Sequence, residues 1–136
     1  MVKPYLIDFP KLGKDSTGYI CVVELHKALP FEVQRTFWTY DTPESFVRGN
    51  HAHYNTEQVL FAVAGRITVT TEMPGGATEI FHLQNPHQGL YVPPHVWHTM
   101  QYTPGAVQLV YASTHYDETD YIRDYEVFRA KWKHEA

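Results

Sequence analysis

The chain has a single cysteine, Cys21, among 136 residues, so no intrachain disulfide can form and a reducing compartment, the cytoplasm, is expected. It has no apolar run approaching the roughly 18 residues of a membrane span, and its Met1-Val2-Lys3-Pro4 start lacks the apolar stretch of a secretory signal. Membrane insertion is therefore not expected. Positive charge is scarce as well: 11 Lys plus Arg against 15 Asp plus Glu leave a net charge of -4, which opposes a broad footprint on nucleic acid or anionic lipid. An anionic small molecule is still accommodated if cations gather locally. Disorder is excluded, because 43% hydrophobic residues against 19% charged supply the material for a core. The length fits one domain, residues 1–136.

What is present is a pattern of short β-branched and aromatic runs broken by turn residues, sustained from residue 5 to about 113 without a helical period. Strict alternation over 32–40 puts Val33, Arg35, Phe37 and Thr39 on one face and Gln34, Thr36, Trp38 and Tyr40 on the other. Further strands are predicted near 5–9, 18–24, 57–64, 66–72, 78–83, 89–93, 96–102 and 106–113, with Pro74-Gly75-Gly76 as a hairpin turn. Strands so regularly spaced predict an all-β sandwich or barrel over residues 1–115.

The C-terminus changes character. Tyr121, Tyr125, Phe128 and Trp132 fall at i, i+4, i+7 and i+11, one stripe of an amphipathic helix, so a short helix is predicted over 116–133. Asp117 to Asp120 would sit at its N-terminal end, where carboxylates favour the helix dipole, with Arg129, Lys131 and Lys133 at the other. The stripe is expected to serve packing.

Nine histidines are a heavy load, and the informative ones are His51, His53 and His98, with Glu57 nearby in sequence. Gly49-Asn50-His51-Ala52-His53, then Glu57 and Gly65, follow the first cupin signature; Gly89-Leu90-Tyr91-Val92-Pro93-Pro94-His95-Val96-Trp97-His98 follows the second more loosely, with His95 where a glycine is usual. Residues i and i+2 of a strand share a face, so His51 and His53 project together, in a closed barrel toward the interior. Two chemistries are open to them. One is metal ligation by His51, His53, Glu57 and His98, a set that suits Zn, Mn or non-haem Fe. The other is proton transfer, because neutral imidazole, with an ordinary pKa of about 6.5, can take a proton from a carbon acidified by an adjacent carbonyl and return it elsewhere.

Cations narrow the ligand class. Between residues 28 and 122 the only basic side chains besides histidines are Arg35, Arg48 and Arg66. Arginine suits bidentate recognition of phosphate or carboxylate, so Arg35 and Arg48 are candidate anion-binding residues, while Arg66, after the Gly65 turn, is expected at the surface.

On these residues the sequence resembles the cupin-fold sugar-nucleotide 3,4-ketoisomerases that act on dTDP-4-dehydro-6-deoxyglucose. The resemblance rests on Pro30-Phe31 followed by Arg35, on Arg48 to His53, on Glu57-Gln58-Val59-Leu60, on Val96-Trp97-His98, and above all on the run Tyr116-Asp117-Glu118-Thr119-Asp120-Tyr121-Ile122-Arg123. It implies a small jelly-roll enzyme that moves a ketone from C4 to C3 of the hexose through an enediol, with neither metal nor other cofactor. It also implies that His51 and His53 carry the protons, His51 nearest the reacting carbons, and that Arg35 and Arg48 meet the diphosphate or the sugar. His98 joins the substrate-binding candidates. The implied partners are a dTDP-linked 4-keto-6-deoxyhexose and a second copy, in a homodimer with exchanged N-terminal strands; products of the family feed 3-amino-3,6-dideoxyhexoses for surface glycans.

Two positions depart from the family. Its members carry Arg-x-Tyr-Tyr where this sequence has Arg35-Thr36-Phe37-Trp38, so a phenol is missing at Phe37, for which Tyr40 or Tyr91 could compensate. Thr17 stands where relatives carry an arginine or tyrosine thought to influence the configuration at C4 of the product. Three other readings compete: a metal-dependent cupin such as an oxygenase, a dTDP-sugar 3,5-epimerase, and a non-catalytic sugar-nucleotide-binding cupin.

Overall fold

In a computed structural model, described over residues 2–132, twelve strands, one 3-10 turn and one helix follow one another along the chain. Strands β1 (Tyr5–Asp8), β2 (Lys11–Lys14), β3 (Gly18–Cys21), β4 (Arg35–Thr39), β5 (Arg48–His53) and β6 (Gln58–Ala64) come first. They are followed by β7 (Ile67–Glu72), β8 (Thr78–Leu83), β9 (Gln88–Val92), β10 (Trp97–Tyr102), β11 (Val107–Ala112) and β12 (Tyr121–Ile122), with α1 (Tyr125–Trp132) last. Two five-stranded antiparallel sheets, ordered β1-β9-β6-β11-β4 and β12-β5-β10-β7-β8, face each other, and β2-β3 forms a separate exposed ribbon. The all-β expectation, a cupin-type jelly roll with a short C-terminal helix, is met. β2 was not legible in the sequence, because none of its four residues is buried and so no alternation marks it.

Burial follows the two-residue period of the strands. Leu60, Ala62, Ile67, Val69, Leu83, Leu90, Val92 and Val110 point between the sheets and form the closed, apolar part of the interior. A second cluster, Phe9, Val59, Phe61 and Tyr91, lies on the outer face of the first sheet under the N-terminal segment. The third joins the helix to the second sheet through Ala52, Trp97, Ile122 and Phe128.

The helix is shorter than the stripe implied. It begins at Tyr125, and the residues before it form a 3-10 turn at Glu118–Asp120 and then β12, which pairs with β5. Tyr121 therefore belongs to a strand. Local polar chemistry decides this: the Asp117 carboxylate caps Thr119 N–H at 3.0 Å, and the Asp124 carboxylate caps Glu126 N–H at 2.9 Å, opening the helix only at Tyr125. The packing role of Tyr125 and Phe128 holds, their rings lying 5.3 and 5.6 Å from that of Trp97. Lys133, placed at the helix end by the sequence, falls outside the described residues.

Candidate active site

The site is built on three neighbouring strands, β12, β5 and β10. Register places His51 opposite His98 and His53 opposite Tyr121, so one face of this ribbon presents three imidazoles and a phenol to the interior. The His51 ring centroid lies 5.0 Å from His53, 4.7 Å from His98 and 5.0 Å from Tyr121. A cavity of about 200 Å³ opens in front of them, lined among others by His51, His98, Tyr121, Phe37, Gln58, Arg48 and Arg123.

A β-bulge makes this wall possible. His98 pairs with His51 but Thr99 pairs with Gly49, leaving Asn50 as an extra residue on β5; Gly49 and Asn50 have φ of 88° and 56°. A Cβ on Gly49 would stand 2.8 Å from the carbonyl oxygen of His98, so glycine is required there on two counts. The bulge has a functional consequence. Alternation would put Arg48 on the face opposite His51, whereas the extra residue returns it to the face of Met100, its cross-strand partner, and both line the cavity. His95, where a glycine is usual, does adopt a left-handed φ of 69°, and its N–H donates to the His53 carbonyl at 2.7 Å.

Each imidazole has one nitrogen assigned by its surroundings. His51 Nδ1 lies 3.1 Å from the Gly49 carbonyl and His98 Nδ1 lies 3.1 Å from the Val96 carbonyl, so both donate from Nδ1 and leave Nε2 bare. His53 Nδ1 meets the Asp120 carboxylate at 3.2 Å, while its Nε2 is buried without a protein partner. Burial holds all three in the neutral form, reinforced by neighbouring imidazoles at His51 and His53. Burial, His98, His53 and Arg123 push His51 down to about 2 against the pull of its Gly49 hydrogen bond. Burial and His98 push His53 down to about 4, only partly offset by Asp120. His98 is lowered chiefly by burial.

The remaining candidates separate. Arg48 reaches the cavity, and Arg66 is exposed. Arg35 is half-buried beside the histidines: its guanidinium lies 5.5 Å from the Phe37 ring and 5.7 Å from that of Tyr116, its Nε has no partner, and its charge lowers the pKa of His53. Tyr40 and Tyr91 do not reach the cavity. Tyr40 continues the outward face of β4 and is 63% exposed, and Tyr91 lies in the cluster outside the first sheet, its hydroxyl donating to Glu57 at 2.6 Å. That bond also takes Glu57 away from the histidines. The four-ligand set is thus not assembled; the nitrogens that converge, within 4.8 Å of one another, belong to His51, His53 and His98 alone among the described residues.

Four polar residues of the site were not singled out from the sequence. Gln58 is 3% exposed and turns its amide to the cavity. By its spacing Tyr121 fits the helical stripe, Arg123 lies just past the arginine-only stretch 28–122, and Asp120 by its position suits a helix N-terminus. Arg123 sits at the cavity over the Tyr121 ring at 4.1 Å and is held by a two-pronged pair with Glu118, at 2.6 and 3.0 Å. The signal that could have found three of them is the Asp120-Tyr121-Ile122-Arg123 run itself, whose alternation places Tyr121 and Arg123 on one face if it is read as a strand.

A jelly roll with a polar, histidine-walled cavity between its sheets defines a small-molecule-binding cupin. The family model FdtA, described as WxcM-like, C-terminal, matches residues 2–133. The chain is 40% identical over 125 residues, 91% of its length and 88% of the relative's, to TDP-4-oxo-6-deoxy-alpha-D-glucose-3,4-oxoisomerase of Aneurinibacillus thermoaerophilus. Among solved structures, a variant of the QdtA 3,4-ketoisomerase from Thermoanaerobacterium thermosaccharolyticum in complex with TDP superposes with a TM-score of 0.92 at 33% identity, over 99% of this chain and 97% of that one. Another QdtA variant, in complex with TDP-4-keto-6-deoxyglucose, gives 0.91 at 32% identity, over 98% and 96%. The chain belongs to the FdtA family of WxcM-like proteins.

Proposed function

We propose that this protein converts TDP-4-keto-6-deoxyglucose into the corresponding 3-keto sugar by proton transfer through an enediol. It is an isomerase of the TDP-sugar 3,4-ketoisomerase type. The observation that carries the substrate and the mechanism is a cavity walled by the neutral imidazoles of His51 and His98, with His53 buried behind them, inside a family match over residues 2–133. The proton on C3 is acidified by the ketone at C4. His51, whose Nε2 is bare and which lines the cavity, takes that proton, and the C–H electrons form the C3=C4 double bond of the enediolate. The 3-hydroxyl gives up its proton, the 4-oxygen gains one, and the proton held by His51 returns to C4, leaving the ketone at C3. His53, behind His51 and backed by Asp120, completes the proton-carrying pair.

Donors near the developing negative charge are the Gln58 amide and the Tyr121 phenol, which take the place at the cavity that Phe37 cannot fill. Arg48 and Arg123 at the same cavity supply positive charge for the diphosphate, and Arg35 adds its own beside His53. His98 fixes the position of the His51 ring and contributes a hydrogen-bonding nitrogen to the wall. The reaction draws on no metal or cofactor in this reading. A second reading has an observation of its own, the convergence of three histidine nitrogens on one point, which suits a divalent cation.

The working form in this proposal is a cytoplasmic homodimer. Its support is the β2-β3 ribbon, which projects Leu12 and Ile20 at 55% and 66% exposure, and the apolar recess on the outer face of the first sheet between Cys21, Val23, Val63 and Leu109. No helix among the described residues is long and apolar enough to cross a membrane.

The test is incubation of untagged protein with TDP-4-keto-6-deoxyglucose in D2O, followed by carbon NMR. The expected result is migration of the carbonyl signal from C4 to C3, undiminished by chelator. A carbonyl that stays at C4 overturns the activity, and strict dependence on one tightly held metal per chain overturns the mechanism in favour of the second reading.

A further inference from the structure

We propose that Asp120 is the positioning residue of the proton-transfer pair: it holds His53 as the Nδ1–H tautomer, with the ring turned so that its lone pair at Nε2 faces His51 and His98. This deepens the function proposed above and rests on it. Of the run Asp117 to Asp120, Asp120 alone is buried, at 7% exposure, and its carboxylate accepts four hydrogen bonds, more than any other side chain among the described residues. Its Oδ1 takes the Asn55 N–H at 2.7 Å; its Oδ2 takes the Thr56 N–H at 3.2 Å, the Thr56 hydroxyl, and His53 Nδ1 at 3.2 Å. Thr114 supports Thr56 through a hydroxyl pair at 2.7 Å, and the Asp120 carbonyl takes the Tyr54 N–H at 2.9 Å.

The tautomer follows from donor bookkeeping. Burial alone would raise the Asp120 pKa, but the Thr56 hydroxyl, the Asn55 N–H and His53 outweigh it and keep the carboxyl below its ordinary value, hence ionised. An ionised carboxylate only accepts, so His53 Nδ1 must carry the hydrogen and Nε2 must be bare. A buried, unpaired acceptor costs of order 1–3 kcal/mol, which is why native interiors rarely keep one. At His53 Nε2 the orphan becomes intelligible as a vacant proton seat beside His51, 5.0 Å away between ring centroids, with a carboxylate behind it to stabilise the imidazolium once it forms. Two N–H groups of the loop 54–56 end on Asp120 side-chain oxygens, which fixes the carboxylate beside His53.

The experiment is Asp120→Asn in the full-length protein, read three ways. Asparagine keeps the shape but is uncharged and has one acceptor oxygen, already claimed by the Thr56 N–H and hydroxyl, so the hold on the Nδ1 hydrogen is released and the His53 ring is expected to carry its hydrogen on Nε2. Long-range nitrogen–proton NMR of the histidines should show His53 as the Nδ1–H form in the wild type and as the Nε2–H form in the variant. Turnover should fall about 10³-fold while the KM for TDP-4-keto-6-deoxyglucose moves less than about threefold. A folded variant with an unchanged His53 tautomer and kcat within tenfold of the wild type overturns the assignment. If the variant does not fold, the wild-type spectrum decides alone: a hydrogen on His53 Nε2 overturns the proposal, and one on Nδ1 supports it. Full turnover by His53→Asn would overturn the proton-transfer reading beneath it, an outcome separate from the tautomer.

Discussion

The two faces of the β12-β5-β10 ribbon differ completely although they share every backbone hydrogen bond. The inner face carries His51, His53, His98 and Tyr121; the outer face carries Ala52, Trp97 and Ile122, packed against Tyr125 and Phe128 of the helix. Residues one apart in sequence therefore have opposite duties: His98 is followed back along the strand by Trp97, and Tyr121 is followed by Ile122. The outer face anchors the strands with buried apolar area. The inner face gives up that gain, keeping buried imidazoles uncharged and one nitrogen unpaired, and can do so because the other side holds the ribbon in place.

The sharpest way to break the comparison is to change one residue on each face. His51→Asn should lower turnover at least 10³-fold, about 4 kcal/mol of transition-state stabilisation, while the melting temperature stays within a few degrees of the wild type. Steady-state kinetics on protein of verified fold checks it; near-normal turnover would remove His51 from the mechanism. On the outer face, Trp97→Ala should cost about 3–5 kcal/mol of stability by opening a cavity under the helix, as measured by denaturant unfolding. Its residual activity at low temperature should exceed that of His51→Asn by orders of magnitude, and if it does not, the division of labour between the faces is wrong.

A smaller effect sharpens the same contrast through pH. His51 and His53 have folded-state pKa values well below the ordinary 6.5, so the unfolded chain binds more protons as the pH falls through that value. Their contribution to stability is fully present above about 6.5 and is lost progressively toward acid, by about 1 kcal/mol for each histidine one unit below it. Melting curves between pH 7.5 and about 5.5 should show the decline, and His51→Asn should flatten it. An unchanged slope in that variant would mean that its ring is not held neutral by burial.

Much of this was legible in the sequence because it depends on near neighbours. The β-branched and aromatic runs at 57–64, 66–72 and 96–102, each bounded by turn residues, located core strands to within a residue or so. The two-residue period of a strand put His51 and His53 on one face. It failed where spacing admits two periods: Tyr121, Tyr125 and Phe128 fit a helix by count, yet Tyr121 pairs with His53 across a two-residue strand. It also failed for Tyr91, whose alternate position in β9 turns it to the outside, toward Glu57, which the sequence had offered as a metal ligand.

The sequence by itself determined the fold class, the shared face of His51 and His53, the membership of Arg48 among the anion-binding candidates and the packing role of Tyr125 and Phe128. All of these follow from the period of a strand or helix and from the chemistry of single side chains. Only the tertiary structure decided that Arg48 enters the cavity, that Glu57 leaves it, and that Asp120 stands behind His53. The first depends on one extra residue in β5, which inverts the facing of everything before it. The others depend on pairings between segments as far apart as residues 53 and 120, whose register is set by the packing of the whole barrel.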